Sequence, residues 1–224
     1  EFVAEVGGVE HRCSFVVCPE QLEMPATTGN RQGWGVATQL YSARSHRSWG
    51  VGDLADLSDM AAWFGREHGA SFMLVNPLHA CAPTPGMEPS PYLPVTRRYV
   101  NPLYLRVELI PEFAYLPAET LADVTRDAQS LSLQLNTDQQ LDRDTSWKHK
   151  REALQKIHAV ALSPGRSAEY WAYREAEGEA LVKFATWCAL AEQFGPKWNE
   201  WPTEYQDHSS EQVAAFRAEH GSAI

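Results

Sequence analysis

Ala70-Ser71-Phe72-Met73-Leu74-Val75-Asn76 is nearly continuous in apolar residues and is bounded by Gly69 and Pro77. Such a run reads as a strand, and unbroken apolarity is what a strand covered on both faces of a parallel sheet shows. Upstream, Gly35-Val36-Ala37-Thr38-Gln39-Leu40-Tyr41 reads as a second strand. Between them Leu54, Leu57, Met60, Ala61 and Phe64 recur at helical spacing. Asp53 stands where the helix N-cap belongs, with Asp56 three residues on as a weak capping box, and Gly69 is the expected stop. Strand, helix, strand is a βαβ unit, which fits a doubly wound sheet or a (β/α)₈ barrel. A dinucleotide site would need a glycine fingerprint at the first strand–helix turn, and Gly50-Val51-Gly52 has no third glycine in place. In a barrel the active-site loops follow the C-terminal ends of the strands. Segments 42–52 and 77–102 both do so. A full barrel takes about 250 residues, so an incomplete TIM barrel, its first strands only, is expected.

The second of these loops is the more informative. It holds seven prolines: Pro77, Pro83, Pro85, Pro89, Pro91, Pro94 and Pro102. Loops this long are uncommon unless functional or disordered. Tyr92, Leu93, Tyr99, Leu103, Tyr104 and Leu105 supply too much apolar surface for disorder. Prolines fix φ and reduce the entropy lost on ordering. The result is a stiff loop displaying Ser90, Tyr92 and Asn101, whose hydroxyls, amide and ring face suit a neutral polyhydroxylated ligand. A rigid connector with packed tyrosines would carry the same composition.

Outward from this unit the chain divides in three. Residues 1–32 read as the end of a small β domain and a linker: Val9 to Val17 is a strand candidate, Pro19 and Pro25 stop it, and Thr27-Thr28-Gly29-Asn30 is the linker. His11 on that strand is a surface residue. Residues 33–112 hold the βαβ unit and its long loop. Residues 113–224 read as a helical subdomain, truncated at its end. There Asp144 to Leu162 is one helix, with Trp147, Leu154, Ile157, His158 and Ala161 on one side. Ser163-Pro164-Gly165 breaks it. Ala168 to Phe194 is a longer helix or a pair, and Gln212 to Glu219 starts another.

The 224 residues suffice for a sizeable core. A net charge of −10 argues against nucleic acid, whose affinity comes from basic side chains, and against an anionic membrane surface. Lys148-His149-Lys150-Arg151 is the densest basic run and reads as a solvated helix face. Cys13, Cys18, Cys81 and Cys188 form no CxxC, so reduced cytosolic thiols are the default. No signal peptide and no bilayer-spanning apolar run is visible, and a cytoplasmic location is expected. The chain opens without Met on what looks like mid-domain sequence, as a fragment would.

Asn76-Pro77-Leu78-His79-Ala80, Ser90-Pro91-Tyr92 and Asn101-Pro102-Leu103-Tyr104 resemble the amylomaltases, the 4-α-glucanotransferases of glycoside hydrolase family 77. So do Gln39-Leu40-Tyr41-Ser42 and Trp49-Gly50-Val51-Gly52-Asp53-Leu54. Order and spacing agree from Gly33 to Tyr104. A weaker similarity continues through Phe184-Ala185-Thr186-Trp187-Cys188-Ala189-Leu190 and Trp198-Asn199-Glu200-Trp201-Pro202. The resemblance implies a retaining transfer of α-1,4-glucan segments to the 4-hydroxyl of an acceptor, with maltooligosaccharides and α-1,4-glucans as partners and no metal or organic cofactor. It implies that the nucleophilic Asp, the acid/base Glu and a second Asp lie on later strands, past Ile224, so no catalytic residue is assigned and the chain alone is expected to be inactive. It also carries donor-sugar contacts onto Ser90 and Tyr92. Trp49 and Trp34 are candidate stacking platforms, and Asp53 and Asn101 candidate sugar ligands. For Asp53 the helix cap, and for Asn101 the loop backbone, is the competing role. Asp53, Asp56 and Asp59 otherwise read as a solvated first turn, and Arg97 and Arg98 as partners of Glu108 and Glu112. The family's simplest members lack this arginine pair. A non-catalytic glucan-binding module, or an α-glucan hydrolase of the α-amylase clan, would share many of these features.

Overall fold

The computed structural model describes residues 1–21 and 32–221. The expected linker at Thr27–Asn30 lies outside the described residues.

Near the N-terminus, β1 (Phe2–Val6) and β2 (Val9–Cys13) form an antiparallel hairpin, with Val6 opposite Val9. Gly7 and Gly8 join them at φ 61° and 80°. Two consecutive left-handed residues make the tight hairpin turn whose twist matches the strands, and glycine adopts them without a Cβ clash. The sequence reading found only the second of these strands and ran it to Val17. Ser14 to Val17 are exposed and unpaired instead.

The βαβ unit forms. β3 (Gly35–Thr38) pairs in parallel with β4 (Phe72–Val75), and α1 (Leu54–His68) connects them. The Asp53 side chain accepts from the Ala55 and Asp56 amides, and Asp56 reciprocates on the Asp53 amide, a complete capping box. Gly69 ends the helix in the left-handed region at φ 67°. Two expectations need correction here. β3 stops at Thr38 because Leu40–Ser42 turns into a 3₁₀ helix, the Leu40 amide donating to Asn76 Oδ1 at 2.7 Å. Among the described residues β4 is not covered on both faces: Phe72 is 55% and Leu74 63% exposed. Its apolar run gave no information about which face meets a neighbour, and among the described residues this sheet has two strands.

The helical part comprises α2 (Ala118–Leu135), α3 (Arg143–His158), α4 (Pro164–Phe194), the short α5 (Thr203–Gln206) and α6 (Glu211–Glu219). α4 begins at Pro164 rather than Ala168, because Ser163 caps it and proline suits the first helical position. It is a kinked pair, broken at Gly178 with φ 59° and ψ −145°.

The core lies between the loops and the helices rather than on the sheet. Trp49, Val107 and Leu116 pack with Val124, Ala128, Leu131 and Leu135 of α2 and with Ala153 and Ile157 of α3. A second cluster joins Leu40, Val51, Met87, Leu103 and Tyr104 to Trp147 of α3. A third, Leu190, Ala191, Trp201, Val213 and Phe216, holds α4 to α6. Gly50 and Gly52 belong to this packing. A Cβ on Gly50 would meet Ser146 Oγ at 2.7 Å, and one on Gly52 would meet the Leu40 carbonyl at 2.1 Å. Among the described residues no helix is long and apolar enough to cross a membrane.

Candidate functional site

The proline-rich loop leaves the C-terminal end of β4 and returns beside it. His79 and Val100 form an antiparallel bridge. The Ala80 amide donates to the Tyr99 carbonyl at 2.8 Å and the Asn101 amide to the Leu78 carbonyl at 2.8 Å. The loop therefore has a paired base and a free tip, and helices hold it from two flanks. On one, Asp144 Oδ1 at the start of α3 accepts from the amides of Gly86 and Met87, each at 3.0 Å, and Trp147 Nε1 donates to the Pro83 carbonyl. On the other, Arg98 Nε donates to Glu177 Oε2 at 3.0 Å, one residue before the α4 kink, and Tyr99 stacks on Phe184 at 4.8 Å. Arg98 thus does not pair with Glu108 or Glu112. Those carboxylates accept from Trp49 Nε1 and from Arg166.

At the tip, the Ser90 carbonyl accepts from the Leu93 amide and Ser90 Oγ from the Tyr92 amide. This turn leaves Tyr92 63% exposed. Ser90 is half-buried and lines a cleft with Tyr41, His79, Glu88, Tyr104 and Arg143. The cleft's interior is about 20 Å³, room for one water and too small to enclose a larger ligand. The Arg143 guanidinium lies 5.1 Å from the centre of the Tyr41 ring.

The other candidate residues face inward. Trp49 is 1% exposed, its indole N–H bonded to Glu108 Oε1 at 2.9 Å, so it offers no ring face to a ligand. Asn101 is 8% exposed; its Oδ1 accepts from the Leu103 amide and its Nδ2 donates to Cys81 Sγ. Trp34, by contrast, is half exposed. Asp53 is fully buried and Asp56 nearly so. Arg106 Nη2 donates to Asp53 Oδ1 and Asp56 Oδ1, each at 3.0 Å, and its Nε donates to Asp53 Oδ2. Burial opposes ionisation of Asp56, but hydrogen bonds from the Ser45 and Ser48 hydroxyls and the Asp53 amide, with the charge of Arg106, hold its carboxyl below the usual range. The expected solvated first turn is therefore a buried ion cluster, because a guanidinium 53 residues away folds onto it. Only Asp59 of the three remains outside, paired with Arg47.

The basic run 148–151 is corrected in the same way. Lys150 is fully buried and its Nζ donates to the carbonyls of Leu103 at 2.7 Å and Leu105 at 2.9 Å. Burial pulls its pKa down to about 8. Lys150, Arg106 and Asp144 thus fix the loop, a role that their places in the sequence do not indicate, and Asn76 of the family motif joins them. The one local signal was Lys150 falling at a three-residue step from Trp147 on the apolar side of α3. Among the described residues no group of three or more His, Cys, Asp or Glu side chains could hold a metal ion.

With this geometry in view, comparison with known proteins is direct. The family described as 4-alpha-glucanotransferase matches residues 38–224. The 4-alpha-glucanotransferase of Mycobacterium tuberculosis is 46% identical over 97% of this chain and 31% of its own length. That of Haemophilus influenzae is 36% identical over 46% of this chain and 15% of its own. The crystal structure of amylomaltase from Corynebacterium glutamicum superposes with a TM-score of 0.70 at 34% identity, covering 85% of this chain and 26% of that one. The chain thus spans about a third of the length of its mycobacterial relative.

Proposed function

The chain belongs to glycoside hydrolase family 77, the 4-alpha-glucanotransferases, and from that premise we propose that it supplies the donor-sugar wall of an enzyme disproportionating α-1,4-glucans. In this reading β3, α1 and β4 are the first βαβ unit of a (β/α)₈ barrel. Residues 1–32 end a preceding β domain, 33–112 carry the barrel unit and its substrate loop, and 113–224 are a helical insertion that holds that loop. No nucleophile or acid/base is assigned within the chain.

The observation that carries the reading is the exposed Tyr92 at the tip of a loop whose base and flanks are fixed. Tyr92 offers its ring face and hydroxyl to a glucosyl unit, and Ser90 a hydroxyl beside it. Retaining transfer uses two carboxyl groups about 5 Å apart, one as nucleophile and one as acid/base. Asp53 and Asp56 do not fit that role, because both are engaged by Arg106 away from solvent. The covalent glucosyl intermediate must meet a sugar 4-hydroxyl sooner than water. A pre-shaped wall favours this by positioning the acceptor and screening the intermediate.

The test is incubation with maltotriose, with products read by chromatography. The protein at its natural length is expected to give a ladder of longer and shorter maltooligosaccharides, and the 224-residue chain none. Glucose and maltose alone would make it a hydrolase. Binding without products would make it a glucan-binding module.

A further inference from the structure

The cavity of about 370 Å³ between the second half of α4, the turn at Trp198–Glu200 and α6 lies apart from the loop tip. Trp187, Leu190, Trp201 and Val213 form its apolar lining, and Trp198, 54% exposed, stands at its edge. The lining is fixed: Trp201 Nε1 donates to the Gly195 carbonyl at 2.7 Å, and Trp187 lies 6.2 Å from Trp201 between ring centres. Its polar residues are Lys183, Thr186, Tyr205, Gln206, His208 and Arg217, with no carboxylate among them.

That composition selects a ligand chemistry. Gln206 spends its Nε2 on the carbonyls of Asn199 and Trp201, while Lys183 and Arg217 keep N–H groups beyond their bonds to Glu179 and Thr186, so a ligand meets donors from these two and must present acceptors. Lys183 is paired with Glu179 at 3.2 Å. Arg217 places its Nε on Thr186 Oγ1 at 3.1 Å. A donor edge over indole rings, with Lys183 already paired, fits a ligand with an apolar face and an edge of hydroxyls. A pyranose ring has both. The volume falls in the range of small-molecule sites, about 300–1,000 Å³. The groove is also joined to the sugar loop by stacked rings, Tyr99 on Phe184 at 4.8 Å and Phe184 on Trp187 at 6.4 Å.

We infer that this groove is a second α-glucan site, taking a short glucosyl segment against Trp198 and Trp187. The inference rests on the glucan reading above and adds a place where a longer chain is held away from Tyr92.

The test uses the protein at its natural length and maltohexaose, followed by tryptophan fluorescence and by transfer assays on maltotriose and maltohexaose. Trp198→Ala, a change at a half-exposed ring, is expected to weaken maltohexaose binding about fivefold to tenfold. It should leave transfer from maltotriose unchanged, and Trp198→Phe should restore most of the affinity. Lys183→Met is a second variant expected to weaken binding in the same direction. Unchanged maltohexaose affinity in both Trp198→Ala and Lys183→Met overturns the inference. So does sedimentation showing that Trp198→Ala separates a dimer without altering glucan binding, which would make a second copy the occupant. Failure of the glucan-wall reading looks different: Tyr92→Ala then has no effect on maltotriose transfer, whatever happens at Trp198.

Discussion

The tip and the base of the proline-rich loop are a dozen residues apart and similar in composition, yet they do opposite things. The tip, Ser90 to Leu93, presents a hydroxyl and a tyrosine ring with little beyond its own turn to hold them. The base, Asn101 to Arg106, turns every comparable polar group inward. Asn101 caps a 3₁₀ turn, the Tyr104 hydroxyl accepts from Asn76 Nδ2, Lys150 takes the carbonyls of Leu103 and Leu105, and Arg106 closes on Asp53 and Asp56. A displayed group needs a rigid support, and here the support is polar because the loop backbone has carbonyls and amides that no sheet satisfies.

The contrast is broken most forcefully at Arg106. Arg106→Met leaves two buried carboxylates without their cation, a loss expected to cost about 3–5 kcal/mol. Denaturant unfolding checks it, and a loss under about 1 kcal/mol would mean that Asp53 and Asp56 reach solvent or are protonated. Next in size, Tyr92→Ala in the protein at its natural length should lower kcat/KM for maltotriose about tenfold, equivalent to about 1.4 kcal/mol. The same variant should leave unfolding within about 0.5 kcal/mol of the parent, as a surface change does. A stability loss matching that of Arg106→Met would erase the distinction between tip and base. Asp144→Ala removes the acceptor for two loop amides and should cost about 1–2 kcal/mol. On the proposed reading it should raise KM more than it lowers kcat in the protein at its natural length, because the loop is held less firmly but Ser90 and Tyr92 remain.

A separate comparison is the pH dependence contributed by Lys150. Its folded-state pKa, about 8, lies below the ordinary lysine value of 10.5. Between these values the unfolded chain binds more protons than the folded one, so this group's contribution to stability rises as pH climbs from about 8 toward 10.5. Below pH 8 the full penalty of the buried charge is present. Unfolding measured across that window should show the parent gaining stability relative to Lys150→Met. Parallel curves would place the ammonium in contact with water.

Much of the βαβ unit was legible because its signals are local. Asp53 with Asp56, the helical spacing of Leu54 to Phe64, and Gly69 each act within a few residues, and they form the capping box, the helix and the left-handed stop. The hairpin was half missed because β1 carries few alternating residues, although Gly7-Gly8 was a turn signal. The site was less legible. Asp53 and Trp49 carried the family resemblance, which gave no information about whether they touch a ligand or a neighbouring side chain.

What the sequence alone determined is the order of elements and the family motifs, because capping, periodicity and turn chemistry are short-range. Which of those residues are displayed and which are buried was decided by the tertiary structure. Arg106 reaches Asp53 across 53 residues, Lys150 reaches Leu103 across 47, and Asp144 reaches Gly86 across 58. Buried polar groups must find partners wherever the fold brings them, and no spacing along the chain records a partner that distant.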